Sequence, residues 1–294
     1  MTFHPGLKEH LGAGATSVCH AWLIRRQDGI DMGFTDHDQP LGFDGVSFRA
    51  DTGLSALALQ QGTGLSVDNS EAIGALSDVA IREDDIEAGR FDGAELTAWI
   101  VNWANPDERQ VIFRGTLGEI RRGGGAFRVE LRGLTESLNT PAGRVYQTPC
   151  AAVLGDSGCT FDLTAPGYAV EVPVEIVSAG VKFTFQALDG FDFGWFQRGR
   201  LLVLSGAAKG LTGNIKRDRF LDGQRVIELW QPMRADVTTG DLIRLEAGCD
   251  KRFETCRLKF DNALNYQGFP DIPGEDWQIA VPARSGETSG GSRR

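Results

Sequence analysis

"AVEVPVEIVSAGVKFTF", Ala169–Phe185, decides the fold class. Val170, Val172, Val174 and Ile176 alternate with Glu171 and Glu175. This is the period of two expected of a half-buried strand, whose side chains point to opposite faces in turn. Val181, Phe183 and Phe185 resume the alternation beyond Ser178-Ala179-Gly180, so the stretch predicts two strands joined by a turn. Further short strands are predicted at Leu201–Leu204, Ile227–Trp230 and Leu242–Leu245, with Gly206, Gly210, Gly213, Gly223 and Gly240 punctuating them. Strands at such intervals predict a small barrel or sandwich.

The N-terminal half reads in the same style. Val18–Ile24 is an apolar run short enough for a buried strand, and Leu96–Trp103 is a second strand candidate. Phe127, Val129 and Leu131 alternate with Arg128, Glu130 and Arg132, and Gly123-Gly124-Gly125 joins that strand to Thr116–Ile120 as a hairpin connection. Glu83–Ala88 predicts one short helical turn ended by Gly89. The expectation is an all-β chain of two β-rich units with few short helices. Residues 1–143 form an N-terminal unit, with a break near Thr140-Pro141-Ala142-Gly143. Residues 144–284 form a barrel-like unit flanked by cysteines, and the Gly-, Ser- and Arg-rich residues 285–294 form a disordered tail.

The chain has 294 residues, a net charge of −10 and a pI near 5.0. Excess acid disfavours a general nucleic-acid or anionic-membrane surface, since both need excess Lys and Arg. The N-terminus lacks a basic segment followed by an apolar run, so no secretory signal is expected. No apolar stretch approaches the roughly 20 residues that cross a bilayer. Synthesis and assembly in the cytosol are expected. Structural disulfides are uncommon there, and clustered thiols lean towards metal or redox chemistry.

The five cysteines are Cys19 alone and two pairs, Cys150/Cys159 and Cys249/Cys256, with 89 residues between the pairs. The pairs flank the predicted second unit, and a barrel whose ends lie close together would bring four thiols to one centre. Were Cys249–Cys256 one straight helix, its two Cα atoms would be about 10.5 Å apart along the axis. That exceeds the roughly 4.4–6.8 Å of a disulfide and is awkward for one small ion. Either the segment bends or the centre is larger than a single ion. Lys251, Arg252, Arg257 and Lys259 would compensate an anionic four-thiolate centre, against Asp250, Glu254 and Asp261. The spacing matches neither the two to four residues between paired zinc ligands nor a tight ferredoxin run. Spacing alone leaves a four-cysteine metal centre and unrelated thiols equally open.

"GCDKRFETC" at Gly248–Cys256, followed by "KFDNALNYQGFPDIPG" at Lys259–Gly274, resembles the C-terminal signature of phage tail-tip proteins. This is the family of the gene-transfer-agent hub protein and the lambda-like tail-tip protein. "MGFTDHDQPLGFDG" at Met32–Gly45 and "PCAAVLGDSGC" at Pro149–Cys159 extend the resemblance over almost the whole chain. It implies a structural hub, not a catalyst, at the tip of the tail tube of a phage-like particle. There a homotrimer would join the distal tail ring above to a large tip or central fibre protein below, with a tail-associated cell-wall peptidase as a further neighbour. It also implies a [4Fe–4S] cluster, whose ligand positions match Cys150, Cys159, Cys249 and Cys256 here. Zinc in the same four-cysteine site is the alternative metal, and an iron–sulfur oxidoreductase or a cell-wall hydrolase is the alternative function. The segment Asn262–Pro273, with Phe260, Leu264, Tyr266 and Phe269, is expected to lie against the barrel and meet neighbours in the assembly.

Other candidates read more plainly as structure. Cys19 lies in an apolar stretch and is expected to be a core thiol. A hydrolase would have to pair it with His37, because adjacent His20 points to the other face. Asp36-His37-Asp38 is expected to be a hydrogen-bonded turn rather than a metal site. "GAAKGLTG", Gly206–Gly213, lacks the pattern of a phosphate loop and reads as a barrel hairpin. Glu83-Asp84-Asp85 suits a helix start, and Trp195, Trp230 and Trp277 read as core or interface anchors.

Overall fold

The computed structural model describes residues 3–50, 55–56, 69–75, 82–123, 126–133, 143, 145–186, 188 and 190–272, with the backbone alone for 55–56, 69–75, 121–123 and 126–128. Residues 140–142, Gly124-Gly125, Pro273, Trp277 and the expected tail lie outside these. The chain divides into two compact units, Met1–Ala142 and Gly143–Arg294.

The first unit opens with helix α1 (Pro5–Gly12), whose Leu7 N–H donates to the His4 ring at 3.4 Å. Strands β1 (Val18–Arg25), β2 (Asp31–Thr35), β3 (Leu41–Phe43), β4 (Val46–Arg49), β5 (Ser55–Ala56) and β6 (Asn69–Ala75) follow. Then come α2 (Glu83–Glu87), β7 (Glu95–Asn102), β8 (Arg109–Gly123) and β9 (Ala126–Gly133). Among the described residues they form one sheet in the order β3-β4-β2-β1-β7-β8-β9-β6-β5. β1 is apolar from Ala21 to Ile24, where both of its faces are covered. Trp22 and Ile24 enter one core with Phe34, Phe91 and Phe113. Cys19, Ala21 and Leu23 enter another with Phe43, Phe48 and Trp99. In α2 the acidic first turn is fixed by Asp85, which pairs with Arg26 at 3.1 Å and Arg90 at 3.1 Å. α1 and β2 to β6 were not expected from the sequence.

The second unit holds β10 (Ala169–Pro173), β11 (Ile176–Ser178), β12 (Lys182–Phe185), β13 (Arg200–Val203), β14 (Thr212–Leu221), β15 (Gln224–Leu229) and β16 (Leu242–Glu246). Helix α3 (Phe253–Leu258) and a 3-10 turn (Ala263–Asn265) complete it. The strand order is β10-β16-β13-β14-β15-β12-β11. Its edge strands β10 and β11 are consecutive in the chain, separated by Val174 and Glu175 alone. Three residue steps of extended chain span about 10 Å, so the sheet must roll until its edges approach. Its inner face carries Phe183, Phe185, Leu201, Val203, Ile227, Leu229, Ile243 and Leu245 as one core.

Two sequence expectations change here. The run from Val170 to Ile176 is not one strand. Pro173 has no N–H to give a ladder, so β10 ends there and Ile176 opens the strand at the other edge. And β14 escaped a pattern search because a bulge between Ile215 and Arg217 shifts its period. Its fully buried positions are Ile215 and an acid, Asp218. "GAAKGLTG" is the connection between β13 and the start of β14, where Leu202 pairs with Thr212.

Candidate metal centre

The pairing of β10 with β16 builds the site. Ala169 is opposite Glu246, and the Ala247 N–H donates to the Tyr168 carbonyl at 2.7 Å. The chain therefore enters and leaves the barrel side by side. The loop before β10 carries Cys150 and Cys159; the loop and helix after β16 carry Cys249 and Cys256. All four cysteines line one cavity, together with Ala152, Leu154, Arg252, Phe260, Asn262, Asn265 and Tyr266. The segment from Cys249 to Cys256 does bend: Lys251 has a positive φ of 67°, and α3 begins at Phe253.

Each cysteine is presented by its own local bonds. The Asp156 carboxylate accepts the N–H groups of Val153 at 2.7 Å, Gly158 at 3.0 Å and Cys159 at 2.7 Å. These three donors, that of Cys159 first, hold its carboxyl below the usual range. The Cys150 N–H donates to the Lys251 carbonyl at 2.9 Å, which ties the two cysteine loops together. The Tyr266 hydroxyl reinforces that tie, reaching the carbonyls of Thr148 at 2.6 Å and Lys251 at 3.0 Å. Cys249 follows Gly248, where a Cβ would collide with the Gln197 carbonyl, so only glycine allows this approach. Cys256 sits on α3 and is buried, its Sγ 3.2 Å from the Asn262 carbonyl.

Burial raises the Cys249 thiol, and it pushes the Cys256 thiol up to about 11, helped by the charges of Cys249, Cys150 and Cys159. A positive centre that replaces the protons would relieve that cost at Cys249 and Cys256. The nearby cations are largely committed elsewhere. Lys259 donates to the carbonyls of Trp195 at 2.7 Å and Gly248 at 2.9 Å, and lies 4.1 Å from the Trp195 ring centre. Burial lowers its pKa to about 8. Lys251 donates to the Ala152 carbonyl. Arg252 lines the cavity with its charge in solvent, and Arg257 is exposed.

Among the described residues, no group of three or more His, Cys, Asp or Glu side chains is gathered so as to hold a metal ion. The cysteines share a cavity without closing on a point. A tetrahedral zinc would need each sulfur about 2.3 Å from one centre. Four cysteines around one cavity are the donor type of a thiolate-ligated metal or cluster.

The remaining candidates have structural partners. Cys19 is buried in the core, its Sγ 3.7 Å from the Val101 carbonyl and 4.0 Å from Thr35 Oγ1, and burial pushes its pKa to about 11. His37 forms a turn instead: its Nδ1 accepts the Gln39 N–H at 3.0 Å, its N–H donates to Thr35 Oγ1 at 3.2 Å, and its ring meets Trp103. Asp36 takes the His20 ring at 2.8 Å. Of the aromatic residues expected to meet neighbours, Phe260 is buried against Phe161 and Tyr168, Tyr266 meets Phe253, and Phe269 meets Tyr146. Leu264 stands fully exposed. Sequence reasoning missed Asp156 and Asn262 as site residues. The Asp-Ser-Gly run around Asp156 was a turn signal, but its partners depend on the folded loop.

The comparisons agree with this architecture. Residues 4–162 match the family described as baseplate hub protein, N-terminal attachment domain. Residues 194–276 match a family described as a phage conserved hypothetical protein. No curated protein matches the chain. A solved chain from the virion of a native gene transfer agent particle is 55% identical, with a TM-score of 0.91, over 98% of this chain and 99% of that one.

Proposed function

The chain belongs to the baseplate hub protein family, and from that membership we propose that it is a structural hub subunit at the tail tip of a phage-like particle of the gene-transfer-agent kind. The observation that carries this is the nearly end-to-end match to a chain of such a virion. Its work there is to join neighbours and not to turn over a substrate. The core position of Cys19 and the turn bonds of His37 support that reading, since they leave the pair without the contact a cysteine hydrolase needs. In the particle it forms a homotrimer between the distal tail ring and the large tip protein, beside a tail-associated cell-wall peptidase. No described helix is long and apolar enough to cross a membrane.

Deleting the gene and imaging the particles tests the hub role. Tails that end at the distal ring, without a tip, are expected. Particles with a complete tip and normal delivery would refute it. Sedimentation of the purified chain tests the trimer; a stable monomer at micromolar concentration in the presence of both neighbours would count against it.

Cys150, Cys159, Cys249 and Cys256 hold a [4Fe–4S] cluster in a structural role. Support comes from the shared cavity, from its all-thiol donor set and from the thiols' origin on both flanks of the barrel. When bound, the cluster supplies covalent iron–thiolate links between the flanks. The chain's own residues do the rest: Asp156 and Tyr266 hold the loops, and Leu154 and Phe260 make part of the cavity wall apolar. Linking the flanks closes a loop of roughly 90 residues, which restricts the unfolded chain. Anaerobic purification with iron, sulfide and zinc analysis tests it beside a Cys249→Ser/Cys256→Ser variant. A brown protein with about four irons per chain, colourless in the variant, is expected. Zinc without iron would replace the metal; neither metal, even after reconstitution, would refute the centre.

A further inference from the structure

Asn262 belongs to neither cysteine pair, yet it touches one member of each. Its Nδ2 donates to the Cys159 carbonyl at 2.7 Å and lies 3.5 Å from Cys159 Sγ. Its backbone N–H donates to the Cys256 carbonyl at 3.0 Å, and its own carbonyl faces Cys256 Sγ at 3.2 Å. The Asn265 amide donates to Asn262 Oδ1 at 2.6 Å, which fixes the side chain with its nitrogen towards the sulfur. The residue before it, Asp261, has a positive φ of 46°, the turn that lets the chain double back from α3 onto the cavity.

We infer that the N–H···S bond from Asn262 to Cys159 raises the reduction potential of the cluster held there. This rests on the cluster reading above. Hydrogen bonds to ligand sulfurs are among the levers that set such potentials. Reduction adds negative charge, part of which falls on the thiolate sulfurs. A donor aimed at one sulfur therefore stabilises the reduced form more than the oxidised form. Leu154 and Phe260 make part of the same cavity lining apolar, and a lower local dielectric strengthens the bond. Cys150 Sγ receives a comparable bond from the Gln267 backbone N–H at 3.4 Å. The Asn262 bond is carried by a side chain, so substitution reaches it directly.

The test uses the full chain, reconstituted anaerobically with ferrous iron and sulfide and titrated with dithionite as electron donor. Wild type is compared with Asn262→Leu and Asn262→Ser, each checked for iron, sulfide and circular dichroism. The expected result is wild-type loading in a variant with a more negative midpoint potential. A fully loaded variant at the wild-type potential overturns the inference. Two folded variants that both fail to load also overturn it, because Asn262 would then act on assembly and not on the potential. A wild-type chain that takes up no iron removes the cluster reading itself, an outcome distinct from a loaded variant whose potential is unchanged.

Discussion

Asp218 and Arg225, seven residues apart, form a two-pronged ion pair in which neither side chain is exposed. The guanidinium donates to the two carboxylate oxygens at 2.8 and 2.6 Å. It also donates to the carbonyls of Phe191 at 3.0 Å and Asp192 at 2.8 Å, while Asp218 takes the Phe196 N–H at 2.9 Å. The pair thus fastens the 191–196 segment to β14 and β15. Arg225→Ala leaves a buried carboxylate without its cation and should cost about 3–5 kcal/mol. Equilibrium denaturation would show this as a lower midpoint. A loss below 1 kcal/mol would mean that the pair's desolvation cancels its attraction.

Gly248→Ala should destabilise the second unit by about 1–3 kcal/mol, the range for a forced overpacking. The new methyl group meets the Gln197 carbonyl, which belongs to the backbone and has no rotamer to change. The same denaturation measurement checks it. An unchanged midpoint would show that the Gln197–Gly199 turn yields freely.

Asp156→Ala removes one acceptor from three backbone donors in the Cys159 loop. In the metal-free chain, alkylation of Cys159 should become several-fold faster, while Cys19, in the other unit, keeps its slow rate. Mass spectrometry of labelled peptides separates the two. Equal acceleration at both cysteines would point to general unfolding.

The His20–Asp36 pair in the first unit gives a pH signature. The bond to Asp36 raises the His20 pKa despite partial burial. A raised histidine value contributes stability fully below the unfolded pKa near 6.5, and the contribution disappears as pH rises through the folded value. Burial alone would raise Asp36, but its bonds to the His20 ring and N–H outweigh that and lower it. Its contribution is present above the unfolded carboxyl value near 3.9 and is lost as pH falls through the folded one. The pair should therefore help most between about pH 4 and 6.5. Both groups are well exposed, so the effect stays below about 1 kcal/mol. Asp36→Asn should lower the His20 pKa in an NMR titration; an unchanged value would remove the interaction.

The legible parts of this fold are those with a local signature. β1, β7, β9, β12, β13 and β16 each carry an apolar run or an alternation that survives into the core. β14 does not, because its bulge and the buried Asp218 break both patterns. The split at Pro173 was written in the missing N–H, and the alternation around it hid the break. For the site, four thiols on two flanks suggested convergence; the β10–β16 ladder sets the flanks side by side, and the four cysteines line one cavity. Asn262 was invisible as a site residue, since a hydrogen-bond partner across 103 residues has no sequence spacing to betray it, and Asp156 showed only as part of a turn.

The side-by-side start and finish of the barrel has a consequence for kinship. Seen from the cysteine loops, everything between Ala169 and Glu246 is a closed excursion. Lengthening a far turn, such as the Asp222-Gly223 hairpin between β14 and β15, adds residues without moving either flank. Descendants of one ancestor are therefore free to drift in the interval between the cysteine pairs while keeping the pairs themselves. A pattern meant to recognise distant cousins should hold the two short cysteine motifs constant and leave the gap between them open.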